Sequence, residues 1–162
     1  MATIATLLGK ELIKITVPLG PNEGQPIREI FAVPCVGDWI KNTLPGLPTE
    51  AGAGSTPQEE LDELLFHFIS SKGRLVYGKM FKDLMPAGDE VWELKTYQLR
   101  IFGWMYRKDQ FIAVVPRRAV EVKRGTRGYD AAKKKVIDTR NRIPLDGPKF
   151  VGGVISNVIS GL

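Results

Sequence analysis

The spacing of apolar and polar positions divides the chain into segments of two periods. Leu61, Leu64, Leu65, Phe68 and Ile69 recur at steps of three and four residues, which places them on one helical face. Ser55-Thr56-Pro57-Gln58-Glu59 precedes them with a hydroxyl cap, a proline suited to the first turn and acids that favour a helix N-terminus. A helix is therefore predicted from there to about Lys72-Gly73. Between Val91 and Pro116 the period becomes that of strands: Val91 to Lys95, Leu99 to Tyr106, and Phe111 to Val115, with Arg107-Lys108-Asp109-Gln110 as the turn joining the last two. These segments predict a three-strand antiparallel meander. Arg28 to Val33 has the β-branched and aromatic content of a first core strand, and a short helix, Trp39 to Leu44, follows with Asp38 as its cap. Tyr129 to Arg142 predicts a last helix, with Ala131, Ala132, Val136 and Ile137 facing inward, the lysines outward, and Pro144 as the stop.

The flanks are less regular. Pro18 to Pro26 is dense in turn formers and reads as a linker after a short strand or helix within Leu7 to Val17. With 162 residues, 43% hydrophobic and 25% charged, the chain is expected to form a single domain over 1–162. Its parts are a core over 28–144, an N-terminal extension over 1–27 and an apolar C-terminal tail over 145–162. The first residues lack the pattern of a secretory leader and no window approaches the length of a membrane-spanning helix, so a cytoplasmic protein without membrane contact is expected. The single cysteine, Cys35, lies in the apolar run Phe31 to Val36 and is expected to be a buried, inert thiol. A structural zinc site needs more ligands of this kind, and neither a metal nor a cofactor is expected.

Charge adds a direction to this picture. The net charge is +5, and Arg117 to Arg142 contains ten lysines and arginines against Glu121, Asp130 and Asp138. Such a cluster draws polyanions, of which nucleic acid is the commonest in a cytoplasm; the alternative is a solvated basic face with no partner. Strand alternation then puts Gln98, Arg100, Phe102, Trp104 and Tyr106 on one face and Leu99, Ile101 and Met105 on the other. If helices cover only the second face, the first presents a guanidinium beside aromatic rings, a surface that neutralises phosphate and stacks on unpaired bases. If both faces are covered, Phe102 and Trp104 are core. Arg100 is correspondingly either a phosphate contact or a cross-strand ion-pair partner of Glu93. His67 is the single histidine, which excludes a two-histidine mechanism, and it reads as a partly buried or surface residue without catalytic duty.

The order strand, helix pair, meander, helix, together with the segments Trp92-Glu93-Leu94-Lys95 and Arg100-Ile101-Phe102, resembles the RelE/HigB toxin superfamily, closest to its phage-related HigB-type branch. Lys123-Arg124 stand where that branch carries paired basic residues after the last strand, and Ala131, Ala132 and Lys133 to Lys135 stand in the helix that follows. The segment Gly125-Thr126-Arg127-Gly128 departs from the branch's usual Lys-Thr-Pro-like helix start. The resemblance implies an α+β, RelE-like fold with an antiparallel-rich twisted sheet and a C-terminal helix. It further implies a ribosome-associated, metal-independent mRNA endoribonuclease of a toxin-antitoxin system, a monomer or weak dimer silenced by a small antitoxin protein. Arg100, Lys123, Arg124 and Tyr129 are its candidate catalytic residues; Gln98, Phe102, Trp104, Tyr106, Lys133 and Lys134 are candidates for holding RNA. Two other readings remain: a non-catalytic phage-related module binding RNA or a host protein on the same fold, and an assembly protein whose tail, around Val154 to Ile159, mediates subunit contact.

Overall fold

The computed structural model describes Ala2–Lys123 and Thr126–Leu162. Among these residues β1 (Ile13–Ile15), β2 (Glu29–Ala32), β3 (Phe81–Asp83), β4 (Trp92–Lys95), β5 (Leu99–Arg107) and β6 (Gln110–Arg118) form one mixed sheet in the order β1-β2-β6-β5-β4-β3. The meander β4-β5-β6 is antiparallel, as the alternation predicts, and β2 lies parallel to β6 with Ile30 opposite Phe111 and Phe31 opposite Ile112. The β5–β6 turn contains Lys108 and Asp109, and Asp109 takes the left-handed conformation (φ 65°) that such tight hairpins require. The ladder slips at Phe102/Gly103, where a Cβ on Gly103 would lie 2.0 Å from the Ile112 carbonyl oxygen, so only glycine fits this bulge. The N-terminal extension contributes more than a linker: β1 pairs antiparallel with β2, and Ala2 N–H donates to the Pro144 carbonyl.

The helices are α1 (Ile4–Leu7), α2 (Pro34–Asp38), α3 (Pro57–Ile69), α4 (Ala119–Val122), α5 (Thr126–Arg142) and α6 (Ile155–Val158). At the start of α3, the Thr56 hydroxyl accepts from Glu59 N–H while the Glu59 carboxylate accepts from Thr56 N–H, a reciprocal capping box behind Pro57. The predicted apolar stripe is buried as expected, but the helix ends at Ile69 rather than near Gly73. Long-range bonds end it early: Arg28 Nη1 donates to the Phe68 carbonyl and Ile27 N–H to that of Ile69. The short helix predicted after Asp38 is instead a continuation of α2 through a π-helical turn, Trp39–Thr43, and a 3-10 turn, Leu44–Gly46. Asp38 is itself helical and its side chain caps nothing. Along α5 the buried stripe runs through Ala132, Val136 and Arg140, and Ala131 is exposed because about 100° per residue carries it off that stripe.

Both faces of the sheet are covered. From α3, Phe68 packs on Phe81 and Phe111 of the sheet, with Trp92 stacked on Phe81 at a ring separation of 4.8 Å. Against the other face packs α5, where the Tyr129 ring meets Phe102 edge-on at 5.6 Å. The segment predicted as an apolar tail continues that second cover, with Val151 N–H donating to the Met105 carbonyl and Val158 and Ile159 buried. Buried Arg28 fastens its end by donating to the Ser160 carbonyl, while Asp109 accepts from Ser160 N–H and Oγ and lies 3.5 Å from Arg28 Nε. Cys35, expected to be buried, is exposed: the first turn of α2 directs Val36 into the core and leaves the thiol outside. Among the described residues no helix is long and apolar enough to cross a membrane.

Candidate nucleic-acid interface

Residues directly opposite in an antiparallel ladder project from the same face, so the register of the meander determines which side chains become neighbours. Lys95 pairs with Arg100, and Arg100 with Arg117, giving a row of three cations across β4, β5 and β6. One step inward the row is Lys82, Glu93, Phe102 and Val115. Lys123 follows β6 by way of α4, and its charge reaches Lys95. Like charges placed opposite one another oppose sheet pairing, so this end of the sheet costs stability unless an anion joins it. Lys95, Arg117 and Lys123 form no ion pair among the described residues, whereas neighbouring Arg118 is neutralised by Glu50.

Glu93 lies at the base of the cluster. It is 0% exposed, neither carboxylate oxygen accepts a hydrogen bond among the described residues, and the nearest cation is Lys82 Nζ at 4.0 Å. Burial pushes its carboxyl above the ordinary range, against the opposing pull of Arg100, Lys82 and Lys95. The Lys95 ammonium is shifted the other way: burial lowers it, Glu93 resists, and the positive fields of Lys82, Arg100 and Lys123 add to the lowering. Arg100 is held rather than mobile. It is 7% exposed, Nη1 donates to the Thr96 carbonyl at 2.5 Å and the Leu99 carbonyl at 2.8 Å, and Nε has no partner among the described residues. The arrangement is a fixed, partly desolvated guanidinium with an accessible arginine and two lysines around it. Such a set of donors suits a phosphodiester oxygen.

The open face of rings and guanidinium expected along β5 does not exist. Gln98, Arg100, Phe102, Trp104 and Tyr106 are all buried, because the chain supplies a cover on that side too. Gln98 donates to the Ser55 carbonyl and accepts from Glu50 N–H. Trp104 Nε1 donates to the Lys149 carbonyl at 2.8 Å and the Tyr106 hydroxyl to that of Asp146 at 3.0 Å. The Arg100–Glu93 ion pair, the alternative reading of Arg100, is not formed, since the register sets the two residues diagonally. Of the other predicted residues, Tyr129 is half-buried against Phe102, Lys123 is exposed, and Lys133 is tied to the Met85 carbonyl and to Asp89. Lys134 pairs with Asp138 on the outer surface of α5, away from the row. Arg124 lies outside the described residues.

The structure therefore brings Arg100, Lys123 and Tyr129 to one end of the sheet, with Gln98 and Phe102 buried beside them, and places Trp104, Tyr106, Lys133 and Lys134 elsewhere. It adds Lys82, Glu93, Lys95 and Arg117, which alternation within one strand could not have gathered. The signal lay in the cross-strand register, a long-range property. No family model, curated protein or solved structure matches this chain.

Proposed function

We propose that this protein binds the ribose-phosphate backbone of RNA through the cationic end of its sheet, on a core organised like that of the RelE/HigB toxins. The observation that carries the reading is the row Lys95–Arg100–Arg117 with Lys123 beside it, set around one buried carboxylate. The sequence order of strand, helices, meander and helix agrees with that resemblance. In its fuller form the reading is a metal-independent endoribonuclease acting on mRNA at the ribosome and restrained by a small antitoxin. Lys95 rests as a cation of the row, and the minor neutral fraction of its amine, enlarged by the lowering of its pKa through burial, would take the proton of a ribose 2′-OH. The O2′–P bond would form as the P–O5′ bond breaks, Arg100 and Arg117 would balance the charge on the phosphorus oxygens, and Lys123 or Tyr129 would return a proton to O5′. The second reading, backbone binding without cleavage, is favoured by the burial of Phe102, Trp104 and Tyr106, which leaves no ring along β5 to splay a base.

The test is equilibrium binding of labelled single-stranded RNA across a salt series, with gel analysis of the same samples in the presence of a chelator. Four phosphate contacts predict a log–log slope near about −3. A cleaved product selects the nuclease, binding without product selects the non-catalytic module, and a slope near zero refutes the proposal.

A further inference from the structure

One member of the cationic row, Lys95, lines a groove of about 540 Å³ between α3 and the segment leading into β3. Its size falls within the range of clefts that hold small molecules. Lys95 belongs to both places: it lines the groove and stands in the row with Arg100 and Arg117. We infer that this groove is a base-reading subsite, and that it takes an unpaired guanine whose phosphate lies on the row. The inference rests on the RNA-backbone reading above and adds to it a choice of base.

The chemistry of one wall makes the choice. Arg74 N–H donates to His67 Nδ1 at 2.8 Å, so that nitrogen is an acceptor and the ring proton sits on Nε2. The next turn of α3 places Glu63 beside it, with a carboxylate oxygen 3.6 Å from Nε2 and a side chain 71% exposed. The wall thus offers one N–H donor and a carboxylate acceptor side by side. Guanine presents the complement on its Watson–Crick edge: O6 accepts, and N1–H and the N2 amino group donate. Guanine meets the donor and both carboxylate oxygens at once; adenine, through N1 and N6, and cytosine, through N3 and N4, satisfy the donor and one carboxylate oxygen only, and uracil sets O2 against the second carboxylate oxygen. Glu60 shares the wall, with its Oε2 accepting from Gln98 N–H at 3.0 Å.

The rest of the groove fits a nucleotide. Leu64 and Met80 add apolar lining, and Arg74 and Lys79 add positive charge for the flanking phosphate. Tyr97 stands at the mouth, 58% exposed, with its hydroxyl anchored to the Ala51 carbonyl and its ring available for stacking. Stacking missing from β5 is thus available at the β4–β5 turn instead.

The experiment compares short uridine oligonucleotides of equal length, unsubstituted or carrying a single guanosine, inosine or adenosine, by fluorescence anisotropy. Guanosine should bind about tenfold more tightly than uridine, the discrimination typical of a bidentate base contact. Inosine, which lacks the N2 amino group, and adenosine, which lacks a second donor, should both fall between. Glu63→Gln should collapse the guanosine-to-uridine ratio toward one, and Tyr97→Ala should weaken guanosine binding without equalising guanosine and inosine. Lys95→Ala should weaken every oligonucleotide and leave the ratio in place. Equal affinity for all bases, or a ratio that survives Glu63→Gln, overturns the base subsite while the backbone reading stands. Failure of every oligonucleotide to bind refutes the backbone reading instead.

Discussion

The two ends of β5 start from the same sequence pattern and finish in different surroundings. At one end Trp104 and Tyr106 lie beneath the segment around Asp146 to Val151, with each polar ring atom matched to a backbone carbonyl. At the other, Arg100 is packed from below, yet Arg117 and Lys123 around it remain open to solvent. Alternation identifies the residues that share a face of a strand; whether that face is open depends on what the rest of the chain lays over it. The first end is therefore structural and the second is where an external anion can be met.

The largest effect expected of this contrast is on stability. Trp104→Ala should cost about 3–5 kcal/mol, the range for removing a fully buried large ring, read from urea unfolding. A loss below about 1 kcal/mol would mean that the C-terminal cover is loose. Glu93 distinguishes the ends by pH. Its carboxyl is raised in the folded state, so the fold holds more protons than the unfolded chain between the ordinary glutamate value and the raised one, and stability falls as pH rises through that window. Glu93→Gln should flatten this fall; an unchanged pH slope would place the carboxylate in water. Least affected should be the stability of Arg117→Ala, which lies at the open end and should change by no more than about 0.5 kcal/mol. The same variant should make the salt slope of RNA binding shallower by about 0.7, the amount expected for one lost contact to a single strand.

Much of this fold is legible in the residues. Thr56, Pro57 and Glu59 mark the start of α3, and the strand period between Val91 and Pro116 yields the meander with its turn at Lys108-Asp109. Of the three-residue strands, β1 is legible only as a short strand or helix within Leu7 to Val17 and β3 not at all, because segments that short carry no period and are strands only through their partners. The cover over Trp104 escapes for a related reason. Residues around 144–154 are irregular, and they bind the sheet largely through backbone carbonyls, which leave no mark on side-chain composition. The candidate site was legible in part: Arg100 and Lys123, both named from the sequence, lie at one end of the sheet, while Lys95 and Arg117 join them through strand register. His67 illustrates the limit most clearly. Its proton position follows from a bond to the Arg74 backbone, seven residues away and across a turn.

The most direct test is an NMR titration of the labelled protein with a short single-stranded RNA. The backbone amides of Lys95, Arg117 and Lys123 should shift together and saturate with the RNA, while the Trp104 indole N–H stays in place, held by the Lys149 carbonyl. Movement of the Trp104 signal with Arg117 and Lys123 unmoved would contradict the account, since RNA would then be entering beneath the C-terminal cover.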